Sequence, residues 1–390
     1  MNKEQSKIIR EQAERSSSRE HSVPLYLTSS FIFDNAEQGR AVFAEEESAM
    51  VYSRYANPNT TEFINKVCVM EEAEAGLAFA SGMGAVFGSL ATFIKQGDHI
   101  VSSRAIFGST HQLFTQLFPR WGVTTSYVDA VDQKAWEEAI QPNTKIIFLE
   151  SPSNPGLELV DLEWLAGLKR QHPDIIFIID NCFATPYLQK PLPYGIDLSI
   201  HSATKYMDGQ GRVLGGVVVG KQELIDQIMF LIRHTGPAMS PFNAWILSKS
   251  LDTLGLRMDR HCSNALAVAE ALEAHSDTMQ VKYPFLPSHP QYELAKSQMK
   301  GGGGIVTFEI EGGQARAFRF IDALEMILYT SNLGDSRSIA THPASTTHSK
   351  LKEEERLALG ISPGTIRLSI GLEDQEDIIA DILQALQASR

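Results

Sequence analysis

The sequence is poor in cysteine and has no long hydrophobic run. Its three cysteines, Cys68, Cys182 and Cys262, lie far apart, and none forms a C-x-x-C pair. Neither a disulfide framework nor a thiolate zinc site is predicted, no metal is expected, and a reducing, cytoplasmic location is expected. No apolar stretch approaches the roughly 20 residues of a membrane helix, and residues 1–22 lack the apolar core of a signal peptide.

Positive charge is also scarce. The 34 lysines and arginines are outnumbered by 47 aspartates and glutamates, which gives a formal net charge of −13 at pH 7. A chain this acidic repels phosphate backbones and anionic lipids, so nucleic acids and membrane surfaces are not expected partners. The composition, 43% hydrophobic and 21% charged, is that of an ordinary folded protein, and 390 residues are enough for two domains.

Strand and helix patterns alternate through the first half of the chain. Residues 1–50 are polar and irregular, which predicts an N-terminal arm, and the alternation then begins near residue 77. The strand-like runs cover residues 76–81, 98–103, 123–128, 145–150 and 174–180. Each gap between runs is long enough for one helix. This spacing predicts an α/β fold with a mostly parallel central sheet that has helices on both faces.

The pattern changes in the last third of the chain. A long helical pattern over residues 244–275 leads into a proline-rich joint, and shorter strand and helix patterns follow. These predict a second, smaller α+β domain. The predicted division is therefore an arm (1–50), a large domain (51–245) and a C-terminal small domain (246–390).

Lys205 carries the most specific local pattern. It follows an apolar run at 195–200 and lies close to Ser202 and Thr204. Such a lysine is either a solvated loop residue or an amine that forms a Schiff base while both hydroxyls bind a phosphate. Asp180 ends a predicted central strand, the place where ligands of open α/β sheets bind. Asp180 could cap a helix, but an acid there also suits a protonated pyridine nitrogen.

Two further segments follow predicted strand ends. Ser81-Gly82-Met83-Gly84 opens a helical pattern whose N-terminus suits a phosphate, although any tight strand-to-helix turn also needs glycine. Asn154 lies between two prolines, either as part of a stiff turn or with its amide aimed at a ring oxygen. Phosphate cradle, amide, acid and lysine, in this chain order, together describe a site for pyridoxal 5′-phosphate (PLP).

From about Tyr52 to its C-terminus the chain resembles the PLP enzymes of cysteine and methionine metabolism. The segment VYSRYANPNT (51–60) matches the family's Tyr-x-Arg-x-x-Asn-Pro motif. The resemblance implies the aspartate-aminotransferase-like fold (fold type I). It also implies a homotetramer built as a dimer of dimers, with the arm contributing to dimer contacts. Tyr52 and Arg54 would then reach the cofactor phosphate of a neighbouring subunit.

The same resemblance assigns roles to the remaining residues. Gly82 and Met83 would bind the phosphate through backbone N–H groups, Ser202 and Thr204 through hydroxyls, while Asp180 would pair with the ring nitrogen and Lys205 would form the Schiff base. Arg367 would clamp the substrate α-carboxylate, for which a bidentate guanidinium is suited. Phe107 stands where a tyrosine commonly stacks on the ring in this family, and we expect it to stack there and to influence catalysis.

Three segments, 207–216, 235–258 and 332–348, resemble the branch of the family that acts on O-succinylhomoserine. The implied reaction is γ-replacement, in which sulfide displaces the acyloxy group of an O-acylhomoserine and gives homocysteine for methionine biosynthesis. Tyr52, Asn332 and Arg212 are expected to contact the substrate, although Arg212 could equally be a surface or interface arginine. Cysteine as the nucleophile, a γ-lyase reaction and a non-catalytic protein on the same fold are the alternatives.

Overall fold

The computed structural model describes residues 3–390 and contains two β-sheets. The larger sheet consists of β1 (Ala75–Phe79), β2 (His99–Ser103), β3 (Thr124–Val128), β4 (Thr144–Glu150), β5 (Ile176–Asp180), β6 (Leu198–Ser202) and β7 (Gly216–Gly220). Its strand order is β1-β7-β6-β5-β4-β2-β3, and only β7 runs against the others. The predicted α/β fold with a mostly parallel central sheet is confirmed.

The central strands are buried on both faces, which explains their uninterrupted apolar sequence. In β4, Ile146 and Phe148 point into one hydrophobic core, while Ile147 and Leu149 point into a second core on the opposite face. Because side chains alternate along a strand, consecutive apolar residues are needed to fill both cores. The polar residue Glu150 ends the strand at the carboxyl edge of the sheet.

Helices cover both faces of this sheet. They are α1 (Glu4–Arg10), α2 (Ala36–Phe43), α3 (Pro58–Glu71), α4 (Gly82–Ala91), α5 (Gly108–Gln112), α6 (Gln133–Ala139), α7 (Leu162–Gln171), α8 (Thr185–Leu188), α9 (Gln222–Thr235) and α10 (Pro241–Leu251). α4 and α9 contribute to one core, and α6 and α7 to the other. In the described part of the chain, no helix is both long and apolar enough to cross a bilayer.

The second sheet lies in the C-terminal part of the chain. Its strands are β8 (Thr278–Lys282), β9 (Ile305–Ile310), β10 (Leu328–Tyr329), β11 (Ile339–Thr341) and β12 (Thr365–Ser369), in the order β10-β11-β12-β9-β8. The accompanying helices are α11 (Leu254–Glu273), α12 (Tyr292–Gln298), α13 (Gly313–Asp322), α14 (Glu353–Ala358) and α15 (Gln375–Ala388). A core of its own, with α11, α13 and α15 packed on the sheet, makes this the smaller α+β unit.

Two local predictions differ from the structure. The pattern over 244–275 is interrupted between α10 and α11, where the carboxylate of Asp252 binds the ammonium of Lys66 at 2.7 Å. The predicted boundary after residue 245 therefore lies inside α10, which packs against α3. The N-terminal segment is less irregular than its composition suggests, because it forms α1 and α2 and buries Ile8 against the core that α3 shares.

Candidate active site

A cavity opens at the carboxyl ends of β4, β5 and β6, beneath loops of the smaller sheet. It brings together Gly82, Met83, Phe107, Asn154, Asp180, Ser202, Lys205 and Arg367 from the predicted site residues. Carboxyl ends of neighbouring parallel strands meet at one edge of a sheet, which is why residues far apart in sequence converge here. Ser331, Leu333 and Thr347 close the cavity from the side of the smaller sheet.

The N-terminus of α4 provides an anion-binding corner of the cavity. The Ser81 hydroxyl caps the helix by accepting the Gly84 N–H at 3.1 Å. The backbone N–H groups of Gly82 and Met83 have no acceptor among residues 3–390. A Cβ on Gly82 would lie 2.6 Å from Cβ of Ser202, so only glycine lets the backbone approach this corner. Free N–H groups at the positive end of a ten-residue helix suit a phosphate.

A second close backbone contact, between Gly216 and Ser81, lies beside the same corner of the cavity. A Cβ on Gly216, the first residue of β7, would collide with the carbonyl oxygen of Ser81. The start of β7 and the start of α4 are therefore in direct backbone contact. Backbone bounds this corner of the cavity on two sides, and the close approach requires glycine at both Gly82 and Gly216.

Asp180 and Glu150 lie side by side at the ends of β5 and β4. They are paired in register, so both side chains leave the same face of the sheet and line the cavity. Burial raises the pKa of Asp180 to about 6, while the Cys182 N–H, donated to Asp180 Oδ1 at 3.1 Å, opposes that rise. Within residues 3–390 neither carboxyl forms a salt bridge. Asp180 is therefore an acid that lacks a cationic partner.

Lys205 and Arg367 are linked by one asparagine. The ammonium of Lys205 donates to Asn332 Oδ1 at 2.6 Å, and Arg367 Nη2 donates to the carbonyl of Asn332 at 3.2 Å. Burial lowers the pKa of Lys205 below its ordinary value, and the nearby charge of Arg367 lowers it further. The amine at this position is consequently easier to deprotonate than a surface lysine.

Arg367 lies on β12 and is 1% exposed. Its Nη1 donates to Asn154 Oδ1 at 3.0 Å, while its Nε has no partner in the described range. Burial lowers the pKa of Arg367 to about 10. Because Asn154 Oδ1 is occupied by Arg367, the amide N–H groups of Asn154 remain as donors. This guanidinium is a desolvated cation suited to a carboxylate.

Other predicted site residues lie outside the cavity. The hydroxyl of Thr204 donates to the Gly215 carbonyl and accepts the Gly215 N–H at 3.1 Å, so both of its main contacts are internal. Tyr52 and Arg54 are not among the lining residues of this cavity. The guanidinium of Arg54 stacks on Tyr55 at 4.7 Å and donates to the Arg233 carbonyl.

The guanidinium of Arg212 lies outside the cavity and binds other residues of its own chain. Its guanidinium donates to Asp208 Oδ1 at 3.0 Å and to the hydroxyl of Ser250 at 2.5 Å, and it does not line the cavity. Asp208 is buried and needs a cation, so the charge of Arg212 is already neutralised. This position agrees with the alternative of a surface or interface arginine, and the substrate contact of Arg212 stays a prediction.

Residues 5–387 match the family described as Cys/Met metabolism PLP-dependent enzymes. The chain belongs to this family. An O-succinylhomoserine sulfhydrylase from Pseudomonas aeruginosa is 45% identical over 380 residues, which cover 97% of this chain and 94% of that protein. An L-methionine gamma-lyase from Fusobacterium nucleatum is 44% identical over 367 residues, 94% of this chain and 93% of that protein. Sequence identity alone therefore does not separate transfer from elimination.

The crystal structure of an assigned O-acetylhomoserine (thiol)-lyase from Campylobacter jejuni is also similar. It has a TM-score of 0.94 and 34% identity, and the match covers 98% of this chain and 99% of that chain. It carries N′-pyridoxyl-lysine-5′-monophosphate at position 205 of that chain. Family membership and this similarity confirm the predicted fold type I architecture, and PLP is the cofactor of this chain, as the sequence predicted.

The cavity matches the chemical groups of PLP. A phosphate needs free N–H donors at a helix N-terminus, as at Gly82 and Met83. A pyridine nitrogen that stays protonated needs a neighbouring carboxylate, and Asp180 lacks a cation of its own. A ring oxygen needs a donor, which the amide of Asn154 can provide, and the aldehyde needs an amine such as Lys205.

Seven lining residues are not among the residues predicted from the sequence: Val86, Glu150, Cys182, Phe183, Ser331, Leu333 and Thr347. Glu150 carries the same signal as Asp180, an acid at the end of a buried strand, but the sequence assigns a site role only to Asn154 in that segment. Cys182 follows Asp180 by two positions and sends its thiol towards the Ser202 carbonyl. Thr347 had no local signal, because its carbonyl reaches the neighbourhood of Gly108 from a distant loop.

Proposed function

We propose that the chain is a transferase that performs γ-replacement on an O-acylhomoserine, with O-succinylhomoserine as the preferred ester. Sulfide is the nucleophile, and homocysteine and succinate are the products. The similarity to sulfhydrylases at 45% identity supports the substrate class. The proposed cofactor ligands are Gly82, Met83, Asn154, Asp180, Ser202 and Lys205, with Phe107 stacked on the ring.

The observation that carries this proposal is the link from Lys205 through Asn332 to Arg367. The side-chain oxygen of Asn332 accepts from Lys205, and its carbonyl accepts from Arg367. The candidate base and the candidate carboxylate binder are therefore separated by a single residue. Both residues line the same cavity, so one amino acid can place its α-carboxylate at Arg367 and its α-proton towards Lys205, as proton abstraction requires.

The chain's own residues then move the protons. Bound PLP supplies the electron sink that makes the protons on Cα and Cβ of the substrate acidic. Lys205, with its pKa lowered by burial, removes these protons in turn. The acyloxy group leaves Cγ as a carboxylate, hydrosulfide adds at the same carbon, and Lys205 returns the protons. Arg367 holds the α-carboxylate throughout, and Asp180 faces the ring nitrogen.

Phe107 favours an ester over a thioether as the substrate. It lines the cavity but offers no phenol, so it cannot donate a proton to a leaving group. Succinate leaves as a carboxylate, whose conjugate acid has a pKa of about 4, and needs no proton. A thiolate has a conjugate acid of pKa about 8.5 or above and gains more from an acid. Methionine elimination is therefore the second candidate.

Product analysis tests the proposal. Purified holoenzyme is given O-succinylhomoserine or O-acetylhomoserine with sulfide or cysteine, and methionine alone in a fifth reaction. We expect the fastest of these reactions to be the formation of homocysteine from the succinyl ester and sulfide. Cystathionine as the main product would reassign the nucleophile, and rapid release of an oxoacid from methionine would reassign the chain to the lyases. The Lys205→Ala variant is the matched blank for every reaction.

We further propose that each site is completed by a second subunit, within a homotetramer that is a dimer of dimers. Tyr52 is 40% exposed and lies outside the cavity of its own chain, as a residue acting in trans would. The arm exposes Leu27, Ile32 and Phe43 by 68%, 98% and 71%, which supports its role in dimer contacts. A cytoplasmic location agrees with cysteines that form no disulfide in the described residues.

Subunit mixing tests the shared site. Arg54→Ala and Lys205→Ala subunits, mixed under exchange, should recover part of the activity because one hybrid site carries both intact residues. The matched control mixes Asp180→Ala with Lys205→Ala, two residues of the same chain's cavity, and should recover none. Absence of recovery in the first mixture despite proven exchange would show that each chain completes its own site.

A further inference from the structure

Glu150 is a buried acid in the cavity to which the reaction assigns no task. It is 5% exposed, ends β4 and lines the cavity beside Asp180. Its Oε2 accepts the backbone N–H of Phe107 at 2.9 Å. Phe107 comes directly before α5 and forms the wall against which the cofactor ring would stack. Glu150 therefore touches both the acid and the aromatic wall of the cofactor site.

The surroundings of Glu150 disfavour its charged form. Asp180 is aligned with it on the next strand, and within the described chain neither acid forms a salt bridge. Burial and the charge of Asp180 raise the pKa of Glu150 well above its ordinary value, while the Phe107 N–H and the charge of Arg367 oppose that rise. The other titratable groups that line this cavity are Cys182 and Lys205. Two adjacent buried carboxyls ionise one at a time.

We propose that Glu150 is a positioning residue that acts as a neutral carboxylic acid, fixes the Phe107 wall through its backbone N–H, and leaves Asp180 as the single carboxylate facing the cofactor ring. The inference rests on the cofactor orientation of the proposed function, in which Asp180 pairs with the ring nitrogen. A second negative charge at Glu150 would compete with Asp180 for that partner. A missing acceptor would leave a buried N–H unsatisfied beside the ring.

The variant Glu150→Gln tests whether Glu150 acts as a neutral acid or as a charged carboxylate. Glutamine has the same length, is neutral and keeps an oxygen that can accept the Phe107 N–H. We expect PLP affinity, measured by titration of the apoprotein, to stay within about 3-fold of the unmodified protein. Glu150→Ala removes the acceptor and should weaken PLP binding by about 10-fold or more, since an unsatisfied buried N–H costs about 1–3 kcal/mol. If Glu150→Gln lost as much PLP affinity as Glu150→Ala, the neutral role of Glu150 would be overturned.

The pH dependence of apoprotein stability gives a second, cofactor-free readout. A carboxyl with a raised pKa in the folded state stabilises the fold below its ordinary pKa of about 4.3, and that contribution is lost as pH rises. Glu150→Gln lacks this loss, so its Tm relative to the unmodified protein should be higher at pH 8 than at pH 5. Glu163→Gln, an exposed change on α7, is the matched control and should show no such trend. A pH-independent difference for Glu150→Gln would contradict the proposal.

These outcomes are separable from those of the proposed function. PLP affinity and apoprotein Tm do not depend on which ester or nucleophile the enzyme uses. If the unmodified enzyme failed to turn over any acylhomoserine, the reaction would be reassigned while both readouts on Glu150 still applied. Should Glu150→Ala not fold, Glu150→Asp keeps the acid but shortens its reach to Phe107, and it should weaken PLP binding more than Glu150→Gln. Equal PLP affinity of all Glu150 variants would overturn the positioning role.

Discussion

Two buried lysines, Lys66 and Lys205, differ in how completely their charges are paired. Lys66 serves the structure, whereas Lys205 is available for chemistry. The ammonium of Lys66, 0% exposed between α3 and α10, donates to Asp252 at 2.7 Å and to the Ser248 carbonyl at 3.1 Å. It also lies 3.4 Å from Glu62. Lys205 has one neutral partner, the amide of Asn332. A buried charge that is fully paired stabilises the fold, whereas one left incompletely paired beside a cavity is available to a ligand.

The carboxylates repeat this contrast. Glu71, at the end of α3, is 0% exposed, and its Oε1 accepts from Ser199 at 2.8 Å and from His201 at 2.5 Å. Asp180 and Glu150, on strands of the same sheet, have backbone N–H donors but no cation. The paired acid ties α3 to β6, and the unpaired acids face the cavity. Substitution of the paired residues should therefore lower stability, whereas substitution of the unpaired residues should lower activity.

The largest effect is expected from Lys205→Ala. Loss of the amine should lower kcat/KM for the acylhomoserine by about 10³-fold or more, near the upper part of the range for a general base. The Tm should change little, because Lys205 makes a single hydrogen bond to a neutral group. Steady-state kinetics and thermal unfolding on the same preparation check both parts. A large fall in Tm would show that Lys205, like Lys66, stabilises the fold.

Lys66→Ala should do the reverse. Removing this ammonium leaves Asp252 without its close cation and Glu62 with only Lys249, 3.6 Å away, and should cost about 3–5 kcal/mol of unfolding free energy. Denaturant unfolding at pH 7 measures the loss, and the folded fraction should keep an ordinary kcat. The matched surface control is Lys134→Ala, whose ion pair with Glu138 is exposed and should contribute less than about 1 kcal/mol. Equal losses in the two variants would remove the distinction drawn here.

Two arginines sharpen the comparison at a smaller scale. Arg367→Lys removes a bidentate contact and should raise KM for the acylhomoserine by about 10- to 100-fold, which corresponds to the 1.5–3 kcal/mol of hydrogen bonds to charged groups. Arg212→Lys, whose guanidinium serves Asp208, should leave KM for both the succinyl and the acetyl ester within about 2-fold, as expected of a weak partly exposed pair. A succinyl-specific rise in KM in Arg212→Lys would support the predicted substrate contact of Arg212.

The smallest effect is expected from Phe107→Tyr. A phenol in this position adds an acid near the leaving group, which helps a thiolate and hardly affects a carboxylate. The ratio of methionine elimination to ester replacement should rise by about tenfold, below the 10²–10⁴-fold of an optimally placed acid. Oxoacid and homocysteine formation by the same preparation give the ratio. An unchanged ratio would mean that the wall residue does not select the leaving group.

Much of this architecture could be predicted from local sequence patterns. β1 to β5 can be located as short β-rich runs separated by gaps of helix length, and the run is most apolar in β4, which is buried on both faces. Asp180 and Lys205 could be placed together because parallel strands converge at their carboxyl ends. The break between α10 and α11 could not be located, since residues on both sides of Asp252 keep a helical pattern. At the break Asp252 binds the distant Lys66, a contact that no local pattern reports.

Contacts made by side chains were harder to predict than positions on strands. The Lys205–Asn332 contact joins residues 127 positions apart, and its existence depends on how the smaller sheet packs above the larger one. Arg212 is the opposite case, a residue close to Lys205 in sequence that lies outside the cavity. Its closeness in sequence predicted a role in the cavity. Its guanidinium instead turns back to Asp208 within the same segment. Direction of a side chain, unlike strand position, is decided by tertiary partners.

The backbone contacts beneath the phosphate corner also limit how this enzyme can diversify. Gly82 meets Ser202 and Gly216 meets the Ser81 carbonyl, so codon changes at either glycine have no neutral outcome. Ser331 and Thr347 line the cavity from loops on the opposite side, and neither is a glycine held by a backbone contact. Directed evolution towards another acyl donor should therefore randomise those loop positions and leave the two glycines fixed. The cofactor seat stays constant while the substrate wall is free to vary.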